Sequence, residues 1–453
     1  MQARLETDDL QQNLSEVREL LGEPDRLPAL RRALDALHPA DIAYILEALP
    51  LEERLRVWDL VKADRDGDIL VEVSDAVRES LIEAMDSAEL VAAAETLEAD
   101  ELADIAPDLP PAVIEEVVQS LVAEERERLR AALSYPEGSV GALMDFDHVA
   151  VREDVTLEAA TRYLRRLDEL PDHTDQIFVV DREQRLRGSL PLARLIVSNL
   201  DLGVAQVMVP ESVKLHPEDS AEDAANAFER YDLVSAPVAD ESGRLIGRLT
   251  VDAVVDYIRQ RSTESQLAEA GLQQHEDVFA PVLDSFKNRW AWLAVNLVTA
   301  FIASRVIGIF EDSIAQLVAL AALMPIVAGI GGNSGNQTVT LIVRALALGQ
   351  IERTYWLKLL SKEMGVALLN GVVWGTLLGA IAYAFYGNVA LGGVMALAMM
   401  LNLMLAAVVG VAIPWLRATS GRDPAPGSSV LITAVTDSGG FFIFLGLATI
   451  FLL

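Results

Sequence analysis

The sequence predicts a multidomain chain: an all-α helical superhelix, an α/β module built as a tandem repeat, and an α-helical transmembrane domain of five spans. Three observations predict this. The chain has 68 acids and 36 bases, yet from residue 291 onward only six acids (Glu311, Asp312, Glu352, Glu363, Asp423, Asp437) and seven bases remain. The first 290 residues therefore hold 62 acids and 29 bases, while the rest is nearly neutral and very apolar. Such a split reads as an acidic soluble region joined to a membrane region. Sequence elements then recur within residues 135–261, and five long hydrophobic segments follow.

Residues 1–134 read as helical throughout. Apolar residues recur at three- and four-residue spacing, as in Ile42, Ile45, Leu46 and Leu49, then Leu55, Val57, Trp58 and Val61. Prolines at 28, 39, 50, 107, 110 and 111 punctuate short elements, which suggests stacked helices. Met1 to Asp9 is polar and acidic, unlike a cleavable signal. Asp100, Glu101 and Asp104 cluster in one helical turn. The plainer account of that cluster is an N-cap with favourable first-turn charge.

The repeat spans about 60 residues in each copy. Val140-Gly141-Ala142-Leu143-Met144 matches Val204-Ala205-Gln206-Val207-Met208. Phe178-Val179-Val180-Asp181 with Gly188 matches Pro237-Val238-Ala239-Asp240 with Gly247 at equal spacing. Each copy runs Met turn, short strand, helix, β-branched strand, Gly turn, strand, helix. This resembles a tandem pair of cystathionine-β-synthase-type (CBS) domains, with the first over 135–199 and the second over 200–261. Many such pairs hold a nucleotide ribose with a Thr and an Asp three residues on. Here Thr250 is followed by Ala253, with Asp252 one place off, and Ser189 is followed by Leu192. ATP at the pair is therefore an open cofactor assignment that the residues disfavour. Residues 262–289 follow as a connecting helix, placed as a lever before the first span.

Within 290–453 the expected spans are Trp290–Phe310, Ile314–Ala347, Leu357–Tyr386, Val389–Leu416 and Val430–Leu453. A span needs about 20 residues. Pro325 and Pro414 are candidate kinks. Basic residues flank the ends that put the soluble region in the cytoplasm and the C-terminus outside. Asp437 is an acid at bilayer depth, which marks a functional site. Gly331-Gly332-Asn333-Ser334-Gly335-Asn336-Gln337 places amides and glycines where lipid-facing helix would stand. Polar backbone at that depth requires surrounding protein or water. Both features point to passage of a cation.

The ordered set of elements resembles the MgtE family of magnesium channels. The resemblance rests on Pro325, Gly329, Gly332-Asn333, Gly335 and Asn336-Gln337, with Arg289-Trp290-Ala291-Trp292-Leu293, Lys362-Glu363-Met364-Gly365 and Asp423-Pro424-Ala425. It implies a homodimer whose fifth spans line a pore. Asp437 would hold hydrated Mg2+, with Gly329 and Gly332 carbonyls and the Asn333 and Asn336 amides nearby. Ser429 and Thr433 depart from the family pattern and would bring hydroxyls to the ion path. Mg2+ keeps its waters and uses few carboxylates, which suits such a site. The resemblance also implies cytosolic regulatory carboxylates at Asp100, Asp104, Asp232, Asp256, Glu264 and Asp423, gating the pore shut when Mg2+ binds. Ser265 stands where the family often has a second acid.

The expected function is passive Mg2+ influx across a bacterial-type inner membrane. The expected partners are a second copy of the chain, membrane lipid and Mg2+, with Mn2+, Co2+ and Ca2+ as competing ions. The alternatives are a divalent cation exchanger coupled to Na+ or H+, and a membrane ion sensor without transport. The net charge of −32 opposes nucleic-acid binding. No P-loop motif and no nucleophile–base arrangement is recognisable, so an enzyme is not expected. A salt-adapted surface, with five Lys against 31 Arg, is the plainer account of the total acidity.

Overall fold

The computed structural model describes residues 7–167, 169–210, 213–272, 277–347, 355–420 and 427–453. Two compact units emerge, one of residues 1–262 with 277–280 and one of residues 263–276 with 281–453.

The first unit opens with short helices from Thr7–Leu21 to Ala123–Ala132, packed on one continuous apolar core. Prolines start several of them: Pro39 and Pro111 stand at first positions, where a missing N–H is no loss. An arginine period binds the array. Arg54 Nε donates to the carbonyl of Leu46 at 2.9 Å and Nη2 to that of Leu49 at 3.2 Å. Arg78 does the same to Leu70 and Val73, and Arg126 to Val118 and Leu121. In each case the targets lie eight and five residues back. Each guanidinium thus closes the carbonyl end of the preceding helix, where four acceptors lack helical partners. The period places a fourth arginine at position 102, and Leu102 stands there instead.

The repeat module has strands β1 (Ala150–Arg152), β2 (Gln176–Val180), β3 (Leu186–Pro191), β4 (Val209–Pro210), β5 (Ser235–Ala239) and β6 (Leu245–Thr250). β1 to β4 form one sheet in chain order, with β1 and β2 parallel and the other pairs antiparallel. β5 and β6 pair antiparallel. The matched glycines explain the repeat physically. A Cβ at Gly188 would meet the Val209 carbonyl at 2.5 Å, and one at Gly247 the Asp145 carbonyl at 2.8 Å. Sulfur from the matched methionines, Met208 and Met144, lies at 3.4 and 3.1 Å from those same positions. Each copy's glycine admits the chain that follows the other copy's Met turn.

The connecting segment 262–289 is not one helix. The helix Val251–Ala270 carries its first part and ends before Gly271, which adopts φ +76°. A new helix starts at Val282 behind Pro281 and runs straight into the first span. Proline fits there because a helix start has N–H groups to spare.

The second unit contains helices Val282–Ile309, Ala319–Ala347, Trp356–Tyr386, Val389–Thr419 and Ser428–Leu452, here the first to fifth membrane helices. Among the described residues, four are both long and apolar enough to cross a bilayer, not the expected five. The second helix has the length, at 29 residues. Its Gly/Asn/Ser run, and not a break, removes it from the apolar set. The third and fourth helices touch through backbone: a Cβ at Gly371, Gly375 or Gly379 would meet Met400, Ala396 or Gly392 at 2.5–2.7 Å. Small residues at four-residue spacing allow this approach, which gains van der Waals contact where lipid offers no hydrophobic drive.

Candidate ion path and acidic cation site

The fifth helix carries Ser429, Thr433 and Asp437 four residues apart, hence along one face. Thr433 is exposed, while Ser429 and Asp437 are half-buried. Thr433 Oγ1 donates to the Ser429 carbonyl at 3.0 Å, so its lone pairs remain available. Asp437 pairs with no basic side chain among the described residues, Arg344 included. The next residue back, Thr436, is fully buried against the second helix; a Cβ on Gly332 would lie 3.7 Å from its Oγ1. Gly335 is tighter, 2.5 Å from Ile432 Cγ2 by the same measure. The glycines of the run therefore seat the second helix on the fifth, one residue away from Asp437.

The second helix presents Gly329 and Asn333 on an open face, with nothing within 4 Å of a Cβ at Gly329. Asn336 is half-buried and its Oδ1 is enclosed without a hydrogen-bond partner. Ser438 Oγ, beside Asp437, is likewise enclosed and unpartnered. The expected pore residues thus lie on two helices in direct contact. Asn402 was missed by sequence reasoning. It is fully buried in the fourth helix, and its Nδ2 donates to the Val327 carbonyl at 2.9 Å. A lone amide at the middle of an apolar helix is the signal that could have found it.

In the first unit, carboxylate oxygens of Glu98, Asp100 and Asp145 lie within 4.8 Å of one another. Glu98 and Asp100 open the helix Ala99–Ile105, where Glu101 accepts from the Glu98 N–H at 3.0 Å. The capping role expected of the acidic turn is therefore real, and falls to Glu101. Asp145 follows the first Met turn and is gripped by Arg248, with Nη2 at 2.6 Å and Nε at 2.8 Å from Oδ2. Burial pushes the Asp100 carboxyl up to about 7, and Asp145 adds to that. The Asp145 carboxyl is also raised by burial, with Arg248 opposing. Three convergent carboxylates against one guanidinium suit a hard divalent cation. Leu102, in the place of the fourth arginine, stands on this same helix.

Asp104 contacts Arg78 Nη2 at 3.4 Å and keeps 58% of its side-chain surface. Burial nevertheless raises its carboxyl, Arg78 opposes, and Asp256 is among the acids that add. More than half of the Asp104 side chain is open to water, which screens both effects. Asp232 is exposed and closes the helix Ala221–Tyr231 in a left-handed conformation, φ 51°. Neither Asp104, Asp232 nor Asp256 belongs to the convergent set. Glu264 lies on the helix Val251–Ala270, and Asp423 lies outside the described residues. At the CBS pair Thr250 is buried on β6, and Asp252 is exposed on the helix that follows.

The chain matches the MgtE divalent cation transporter family over residues 324–447, the MgtE intracellular N domain over 37–138 and a CBS domain over 204–260. The magnesium transporter MgtE of Thermus thermophilus is 32% identical over 441 residues, covering 96% of this chain and 98% of that protein. That of Bacillus subtilis is 27% identical, covering 96% of each. Among solved structures, the cytosolic domain of the Mg2+ channel MgtE in complex with ATP is 32% identical, at a TM-score of 0.47. It covers 55% of this chain and 98% of that one. The chain belongs to the MgtE family of magnesium transporters.

Proposed function

We propose that this transporter is a passive Mg2+ channel formed by two copies of the chain, with Asp437 as the acid that attracts the ion. The observation that carries this is that Ser429, Thr433 and Asp437 lie along one face of the fifth helix, which packs on the second helix at Gly332 and Gly335, while Gly329 and Asn333 are exposed on that second helix. A cation at that depth needs charge and a wet, polar wall. One carboxylate per copy supplies the charge without stripping water, and hydroxyls and amides bond the ion's hydration shell. An inside-negative potential of 100 mV favours entry of a divalent ion by about 4.6 kcal/mol, so no coupled reaction is needed.

Regulation rests on the acids of the first unit. Mg2+ at Glu98, Asp100 and Asp145 would relieve their mutual repulsion and favour the closed channel; Asp104, Asp232, Asp256, Glu264 and Asp423 are the further acids assigned to this role. Binding there would displace a proton from Asp100, whose carboxyl titrates near neutrality. The residues of the CBS pair do not favour ATP, since Ala253 stands three places after Thr250 where the nucleotide-binding pattern has an Asp.

The test is Mg2+ flux into liposomes holding the full-length protein, under an imposed potential and with Mg2+ titrated on the cytosolic face. Asp437→Ala abolishes flux, and Mg2+ on that face slows it. Flux that requires a Na+ or H+ gradient would replace the channel by an exchanger. No flux from folded protein, with Mg2+-dependent compaction, would make it a sensor.

A further inference from the structure

The fourth membrane helix reads Met399-Met400-Leu401-Asn402-Leu403-Met404-Leu405, with one amide in an otherwise apolar stretch. Asn402 is 0% exposed, at the meeting of the second, fourth and fifth helices. Its amide occupies the space that side chains would need at two glycines. A Cβ at Gly331 of the second helix would collide with Nδ2, and one at Gly440 of the fifth would lie 2.7 Å from it. Nδ2 donates to the Val327 carbonyl at 2.9 Å. Oδ1 is enclosed and has no hydrogen-bond partner.

An apolar side chain of similar volume would leave no orphan acceptor in this site. A fold that keeps one has a use for the amide's shape and its single bond. That use follows from what the neighbours carry. Val327 lies two residues before Gly329, and Gly331 precedes Gly332; Gly440 is one turn beyond Asp437. The flat amide therefore fixes the height of one helix and its gap from the other. We propose that Asn402 is a positioning residue for ion passage: wedged between Gly331 and Gly440, it sets the separation of the Gly329–Asn333 wall from Asp437, and so the choice between Mg2+ and larger divalent ions. This rests on the ion path proposed above. Hydrated Mg2+ presents a fixed octahedron of waters to the wall, whereas the Ca2+ shell varies in number and geometry, so a loosened gap penalises Mg2+ more.

The experiment compares Mg2+ and Ca2+ influx into liposomes for the wild type, Asn402→Leu, Gly440→Ala, the double variant Asn402→Ala with Gly440→Ala, and Asp437→Ala. Thermal melts verify folding. Asn402→Leu removes the bond at similar volume, and Mg2+ influx falls by about tenfold while Ca2+ influx falls less. Gly440→Ala alone loses influx because its methyl strikes the amide, and Asn402→Ala in that background recovers part of it. Unchanged Mg2+ influx and unchanged Mg2+ to Ca2+ ratio in folded Asn402→Leu overturns the proposal. If Asn402→Leu does not fold, the double variant decides, and no recovery over Gly440→Ala overturns it. Loss of flux in Asp437→Ala beside unaltered Asn402→Leu rejects this inference and leaves the ion path standing. Wild-type flux in Asp437→Ala rejects the path itself, and the inference with it.

Discussion

Asp145 and Arg248 hold each other through both backbone and side chain, 103 residues apart in sequence. Each accepts the other's N–H at 2.8 Å, and the guanidinium places two nitrogens on one carboxylate oxygen. Both side chains are largely buried. The pair therefore joins the two repeats and also supplies one wall of the acidic site with Glu98 and Asp100.

Arg248→Met leaves Asp145 buried without its counter-charge, a change that costs about 3 kcal/mol or more. Without divalent ions the variant melts well below the wild type. Mg2+ raises its melting temperature more than that of the wild type, because the ion replaces the lost positive charge. Equal Mg2+ shifts in the two proteins, followed by calorimetry, would remove the site.

Arg54 is fully buried and serves two carbonyls, the Ser80 hydroxyl at 3.1 Å and Asp277 at 2.8 Å. Arg54→Met strands these acceptors and lowers stability by about 3 kcal/mol. Arg54→Lys recovers little, since an ammonium lacks the forked donor geometry. Denaturant melts of both variants measure this. A lysine variant as stable as the wild type would contradict the fork as the reason for the period.

Burial pushes the Asp66 carboxyl from its ordinary 3.8 up to about 6, with Glu89 and then Asp64 adding. The folded chain thus holds this proton more tightly than the unfolded one. Its contribution is complete below about pH 4 and is lost as pH rises through about 6. Asp66→Asn removes that loss, so the variant's advantage over the wild type grows from pH 4 to pH 7. Melting both proteins across that range checks the sign; a constant difference would place the proton elsewhere.

Gly375→Val forces side-chain atoms into the Ala396 carbonyl, 2.7 Å from the added Cβ. Overpacking of this kind costs about 1–3 kcal/mol. Thermal melts in detergent should show a clear drop, whereas Gly393→Ala, at a position with nothing within 4 Å, leaves the melt unchanged.

Much of the architecture was legible because it rests on local chemistry. Proline at helix starts, the Met and Gly positions of the repeat and the apolar runs each have one physical reading. The second membrane helix escaped the count of apolar spans because Gly331 to Gln337 replace apolar side chains with glycines and amides, several of which seat it on its neighbours. Gly271 and Pro281 divide the segment expected as one connecting helix, because a left-handed glycine and a helix-starting proline interrupt it. Of the site residues, Ser429, Thr433 and Asp437 share one face of the fifth helix, a relation their four-residue spacing already carried, while Gly329 and Asn333 are exposed on the second. Glu98 and Asp145 were not foreseen, since their meeting depends on a fold between distant segments. The arginine period and the central amide were visible as spacing and as an isolated polar residue, but their roles depend on which carbonyls come within reach.

The glycine contacts between the third and fourth membrane helices have a mechanical consequence. Backbones that touch at Gly375 and Gly379 leave no slack for a lipid tail or a water file between them, so the two helices travel as one plank. A rearrangement of this bundle must then be taken up elsewhere, and Pro325 leaves one rung of the second helix's ladder unmade.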